Sequence, residues 1–490
     1  MSKSGVISGK SGITLWWCVL ACLGLCAMAL AFLPLLRITT ILSLNYNEGW
    51  NAYRAQMAAE GIPLYAVRPS DSITNYPFLS YHIVGLLSRI TGNVTLAGRG
   101  IALASLLTIA TLVAMIARKS TESWRMGIFA GLCFFVWLGT YSPDRLAMND
   151  PHLLGMALTT FALYAYLHTP GRIGWLVVSA IAFTAAIFTK NNLIGFPVAV
   201  ALDLLLRYRL RDFLVWAVTS IVAACTLLLL TFHFDGDYFL NHLLMNRPYD
   251  VVGGVAANLD FVSWFYVPLG IIFGWFISGE HSNHRTFFTI LLLVSSFIEA
   301  VFAFGNGVGS NIFYDVIAAV ALVTAIALSD LERAVSQQRW GKAIFATLVI
   351  LPALTGIMHV PRQVYSDLKA WHQLPSLQVD MAQGIDVLDH VDGPVLCENI
   401  LLCFEAHKPM GPDINFIQGQ IRLGRISEGI LLSQIKDLYY GAVEIGEEPS
   451  RPPISSESEQ LRFSPAFMAT LYKHYRPSLQ TAHFSIFIPR

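Results

Sequence analysis

Three short stretches carry groups able to do chemistry. Glu48 stands in NEGWNAYRAQ (47–56), just past a long apolar run. Asp150 stands in SPDRLAMNDPHLLG (142–155), among Asp144, Arg145, Asn149 and His152. Lys190, followed by Asn191, interrupts an apolar stretch in FTKNNLIGFP (188–197). A fourth stretch, HFDGDYFLNHLLMNRPYD (233–250), adds His242 and Arg247 as candidate anion ligands. Two carboxylates and fixed cations on one membrane face suit transfer from a membrane-held phosphate ester. A carboxylate would deprotonate an incoming hydroxyl or amine. The cations would stabilise charge growing on the leaving phosphate.

Each residue also has a plainer reading. Asp150 before Pro151 is an N-cap with proline at the first helical position, a role compatible with catalysis. Lys190 can snorkel to the interface, and loop solvation accounts for His242 and Arg247. The functional reading rests on their combination, because ionisable groups at a membrane are costly and tend to be functional.

The elements that must hold these groups are membrane helices. The 490 residues are 55% hydrophobic and only 13% charged, against about 25% charged in soluble domains. Mean hydropathy is +0.56. Net charge is zero, so no basic field points to nucleic acid. Apolar runs fall near 13–36, 97–117, 125–141, 152–168, 174–189, 192–206, 213–232, 260–277, 286–304, 311–329 and 341–359. The first is too long for a signal-peptide core and reads as an uncleaved span. NYPFLSYHIVGLLSRITG (75–92) has too short an apolar part to cross and reads as interfacial. With that choice RKSTESWR (118–125), RYRLR (207–211) and DLERAVSQQRWGK (330–342) share the cytoplasmic side with Lys3 and Lys10. Glu48, Asp150 and Lys190 then all face outward. The helical spacing of Trp50, Tyr53 and Met57 predicts a surface helix anchored by its aromatic residues.

The fold class expected is a polytopic α-helical membrane protein of about eleven or more spans, residues 1–360. Residues 37–96 form its first outer loop with juxtamembrane helices. A small extracytoplasmic α/β domain follows at 361–490. In it GPVLCENILLC and HFSIFIP read as strands and QGQIRLGRISEGILLSQIKD as helical. Cys397 and Cys403 would sit in an oxidising compartment, where a disulfide and two free thiols are both open. The other five cysteines lie in apolar runs and read as small hydrophobes.

NEGWNAYRA, NYPFLSYHIVGLLSRITG, AMNDPHLLG and FTKNN, in this order and spacing, resemble the GT-C superfamily of polyprenyl-phosphate-sugar glycosyltransferases. The likeness is nearest to bacterial relatives of protein O-mannosyltransferases and to the lipid A aminoarabinose transferase. It carries usable motifs over about the first 210 residues. Beyond them only the architecture matches, including an outer loop GVGSNIFYD (307–315). The resemblance implies an inner-membrane enzyme with its active site facing the periplasm. It would move a sugar by inverting displacement from a polyprenyl-phosphate donor to a lipid, glycan or protein acceptor.

In residues, the likeness implies that Glu48 and Asp150 are the catalytic acids. It implies that Lys190 holds the donor phosphate; Arg247 and His242 of the 233–250 loop join it as the candidate anion ligands read from that loop. Asn47, Trp50, Tyr53, Tyr76, Arg145, Asn149, His152 and Asn191 would contact substrate. Many relatives carry an Asp-Glu pair where this chain has Asn47-Glu48, so either acid can be the base. A divalent ion on Glu48 and Asp150 is left open. A transporter or flippase for lipid-linked sugars is the alternative, and an assembly protein a third. Clustering of the two acids and Lys190 around one cavity favours the enzyme; scattering favours the others.

Overall fold

The computed structural model describes residues 10–446 and 463–490, apart from 71, 169–171, 208, 246–247, 279–284 and 336–340. Helix α1 (Lys10–Arg37) is the first apolar run. Two shorter helices follow, α2 (Tyr46–Glu60) and α3 (Leu79–Thr91). The bundle continues with α4 (Val94–Thr121), α5 (Trp124–Tyr141), α6 (Pro151–Leu167), α7 (Ile173–Ile187), α8 (Gly195–Leu206) and α9 (Leu210–Phe234). After a one-turn α10 (Phe239–Leu243) come α11 (Val251–Ile277), α12 (Arg285–Phe302), α13 (Tyr314–Val335) and α14 (Gly341–Ile357). Helices thus occupy every apolar run read from the sequence.

Among the described residues, seven helices are long and apolar enough to cross a membrane by length and composition. The protein is therefore an integral, polytopic helical membrane protein. Helices α7 and α8, with 15 and 12 residues, fall short of the roughly 20 that a full crossing needs. Helix α3, with 13 residues, spans only about 20 Å. It lies on α2 so closely that a Cβ at Gly85 would press on the Ala55 carbonyl at 2.7 Å.

Burial separates the helices by role. The most apolar window of α13 is wholly buried, whereas only 6% of that of α9 is. Helix α13 is the central pillar, and α9 presents its side chains outward, as a lipid-facing helix does.

The C-terminal part begins with α15 (Val360–Asp389), which runs on from α14. It leads to β1 (Val395–Cys397), α16 (Ile400–Glu405), α17 (Ile414–Arg422), α18 (Glu428–Lys436), β2 (Ala442–Gly446), α19 (Pro465–His474), β3 (Tyr475–Gln480) and β4 (Phe484–Pro489). Sheet order is β1-β2-β4-β3, with β1 and β2 parallel and the other pairs antiparallel. Alternate residues supply two cores, as strand pleating requires. Val395, Cys397, Ala442, Phe484 and Ile486 face α15 and α16; Leu396, Val443, Tyr475 and Phe487 face α17 to α19. The stretch NILLC, expected to continue a strand, instead forms α16, and a Cys397–Cys403 disulfide closes the turn before it. A short apolar run suits either state.

Helix α16 packs directly on α2. A Cβ at Gly49 would collide with the backbone nitrogen of Leu401. Trp50 and Tyr53 therefore face this domain and not the membrane surface. Both are buried with Ile73 and Ile400, and the Tyr53 hydroxyl donates to the Lys408 carbonyl at 2.7 Å. Their aromatic bodies do what interfacial anchors do, but against protein.

Candidate active site

Asn45 starts the acid-bearing helix α2 as its N-cap, accepting from the Asn47 N–H at 3.2 Å. Glu48 comes one turn later and is fully buried. Arg99, near the start of α4 and equally buried, grips it in two places. Its Nε donates to Oε1 at 2.8 Å and its Nη2 to Oε2 at 2.7 Å. The Leu44 and Asn149 N–H groups donate to the same carboxylate at 2.9 and 3.1 Å. The rest of the guanidinium donates to the carbonyls of Arg37, Thr40 and Leu42. Every strong hydrogen-bonding position of this ion pair is occupied, as a buried charge pair requires.

Asp150 sits at the other side of Asn149. As N-cap of α6 its Oδ1 accepts from the His152 N–H at 2.8 Å, with Pro151 at the first helical position. The same oxygen lies 3.6 Å from Lys190 Nζ, both side chains being nearly buried. Its Oδ2 is buried and has no hydrogen-bond partner among the described residues. Burial opposes the charged form, but the positive charges of Lys190 and Arg145 and the His152 N–H outweigh it. The carboxyl is held below the ordinary carboxylate range, so it is ionised at neutral pH.

Lys190 lies in the turn between α7 and α8, and its Nζ stands 3.6 Å from the centre of the Tyr76 ring. The aromatic face holds the ammonium without neutralising it. A small cavity beside Asp150 is lined by Asn51, Ser80, Tyr81, Asn149 and Leu154. The Asn51 amide donates to the Asn149 carbonyl at 2.8 Å, fixing the loop that presents Asp150. A Cβ at Gly98 would collide with the Asn149 side chain, so α4 comes up against that loop.

Glu48, Asn149, Asp150, His152, Lys190 and Tyr76 thus form one contact chain, which Arg145 extends. His152 is buried, with Nδ1 3.3 Å from the Asn311 amide and its ring against Tyr314. Arg145 lies against Gly309 of the 303–313 loop. Asn47 and Asn191 are half-buried beside Glu48 and Lys190 in sequence. His242 plays a different part. Its Nδ1 accepts from the Thr74 N–H at 3.0 Å, and its Nε2 lies 2.9 Å from the Val67 carbonyl. Both ring nitrogens pin the 62–76 segment, leaving none for an anion. Arg247 lies outside the described residues.

A divalent ion shared by Glu48 and Asp150 does not fit this arrangement. The lone pairs of Glu48 are taken by Arg99 and two backbone N–H groups, which a metal would have to displace.

Reading the sequence missed Arg99 and Asn51. Arg99 had a signal, a lone charge at the start of the 97–117 apolar run. Its partner lies 51 residues earlier, too far for any local pattern.

No family model and no curated protein matches this chain. Solved structures do. ArnT from Cupriavidus metallidurans bound to undecaprenyl phosphate aligns with a TM-score of 0.61 at 13% identity, over 94% of this chain and 97% of that one. The same protein in its apo state gives 0.62 at 12% identity, over 94% and 96%. The chain has the GT-C fold. The alignment runs through the bundle and into the C-terminal part, so the GT-C fold accounts for almost the whole molecule.

Proposed function

We propose that this protein is a membrane glycosyltransferase that takes a sugar from a polyprenyl-phosphate donor and passes it to a hydroxyl or amine acceptor. The observation that carries the reading is Asp150. It is an ionised, nearly buried carboxylate with one unpartnered oxygen at a cavity, 3.6 Å from a lysine, in a fold shared with a protein seen bound to undecaprenyl phosphate.

Asp150 Oδ2 takes the proton from the acceptor, whose oxygen or nitrogen bonds to the anomeric carbon. The bond from that carbon to the phosphate oxygen breaks, and polyprenyl phosphate leaves with the electron pair. Attack opposite the leaving group inverts the configuration. Lys190, held over Tyr76, meets the negative charge on the leaving phosphate. Glu48 and Arg99 form the beam that fixes Asn149 and hence Asp150; they position the base and stay out of the chemistry. The distribution of Lys and Arg supports an outward-facing position for this end of the bundle, which is the periplasm if the membrane is a bacterial inner membrane.

Mass spectrometry of envelope glycolipids from a deletion strain and its parent tests the reading. A glycolipid missing from the deletion and restored by the wild-type gene is expected. Identical profiles for lipids, glycans and glycoproteins alike would overturn it.

A further inference from the structure

Four polar side chains beside the Lys190 loop have no part in the chemistry above. Glu299 near the end of α12 and Asp315 in the first turn of α13 are 0% and 1% exposed. All four of their carboxyl oxygens are buried without a hydrogen-bond partner among the described residues. The two acids lie within electrostatic reach of one another, and the Asn192 side chain makes only a loose hydrogen-bonding approach to Glu299. Both polar atoms of the Asn192 amide are also buried, without a hydrogen bond of good geometry among the described residues. Ser295, one turn before Glu299 and on the same face of α12, is fully buried with an unpartnered hydroxyl. It lies against Gly195, at the end of the Lys190 loop.

Such an arrangement is costly unless something fills it. Two ionised carboxylates in a low-dielectric interior repel one another, and each lone charge carries a heavy desolvation penalty. Protonating one acid would let it donate to the other but would leave one buried negative charge without a counter-ion. Water would supply hydrogen bonds but no counter-charge. A divalent cation meets both needs, since it neutralises the pair and occupies the free lone pairs. Two carboxylates, an amide oxygen and a hydroxyl make an all-oxygen donor set, which suits Mg²⁺, Mn²⁺ or Ca²⁺ and not a thiolate- or imidazole-seeking metal.

We infer that Glu299, Asp315, Asn192 and Ser295 form a binding site for one hard divalent cation, which ties α12 and α13 to the loop carrying Lys190. Binding there places a positive charge behind that loop and fixes its distance from α12.

The test is a titration of the detergent-solubilised full-length protein with Mn²⁺, reading free Mn²⁺ by electron paramagnetic resonance. One saturable site is expected, emptied by excess Mg²⁺ or Ca²⁺. Glu299→Gln and Asp315→Asn should each weaken it by about tenfold or more, as loss of a ligand does, while Asp150→Asn leaves it unchanged. Absence of a saturable site, or a site indifferent to both changes, would overturn the inference. So would loss of binding in Asp150→Asn alone. Size-exclusion profiles report whether the variants fold. Should either carboxyl variant fail to fold, Ser295→Ala and Asn192→Ala decide, and unchanged binding in both rejects the site. No donor is present in this titration, so its failure leaves the transfer reading standing, and the converse also holds.

Discussion

Two buried carboxylate–cation pairs stand on either side of Asn149, and they are built differently. Glu48 and Arg99 are completely enclosed, and both partners are saturated by hydrogen bonds. Asp150 and Lys190 are looser: the pair is 3.6 Å apart, one carboxyl oxygen has no partner, and the ammonium rests on a ring. A saturated pair has no lone pair or proton to offer a substrate and can only hold geometry. An incomplete pair keeps reactive capacity, with burial as its cost. The contrast supports the proposal that the acid next to the first span is scaffold and the acid at the head of α6 the reacting group.

The strongest way to break this contrast is Asp150→Asn. Loss of the base should lower transfer by about 10²–10⁴-fold with unchanged protein level in the membrane. A variant that keeps most activity removes Asp150 from the chemistry.

Glu48→Gln sharpens it from the other side. Leaving the Arg99 charge buried without its partner should cost about 3–5 kcal/mol, read as reduced thermal stability in detergent. A second change, Arg99→Met, should recover much of that loss, because neither buried charge then remains. A stable but inactive Glu48→Gln protein would reverse the assignment and make Glu48 the base.

Lys190→Ala comes next. Losing a charged contact worth about 1.5–3 kcal/mol should raise the donor KM by about ten- to a hundredfold. It should also move the pH profile. Asp150 is held ionised partly by Lys190, so wild-type activity persists as pH falls and is lost only below the ordinary carboxylate range. Without the ammonium the carboxyl protonates at higher pH, and the acid limb of kcat/KM shifts upward. An unmoved limb would mean that the pairing has no bearing on the base.

The smallest effect belongs to the Cys397–Cys403 disulfide. With a sequence separation of six, it closes a short loop, and replacing both cysteines by serine should cost about 2 kcal/mol. Unfolding of the C-terminal part should shift while the base stays intact, so transfer at low temperature is retained.

Much of this arrangement was legible in the sequence. Long apolar runs marked the helices, because no other segment can bury its backbone in lipid. Lysine and arginine in alternate loops grouped 47–56, 142–155 and 188–197 on one side, and the structure joins them through Asn149 and Lys190. Roles were harder to read than places. An arginine at the mouth of an apolar run looks like a snorkelling residue, so Arg99 gave no hint that it would saturate Glu48. His242 looked free because its partners, Thr74 and Val67, are backbone groups some 170 residues away, and backbone groups leave no mark in a sequence. Trp50 and Tyr53 fit a membrane interface as well as a protein one, since an aromatic body with a polar tip suits both.

The close seat of Leu401 on Gly49 makes the acid-bearing helix and the C-terminal domain a matched lock and key. A chimera that imports residues 360–490 from a distant relative must bring that relative's α2 with it. Even a single methyl group added at position 49 would prise the two halves apart and carry Glu48 away from Asn149, loosening the loop that presents the proposed base.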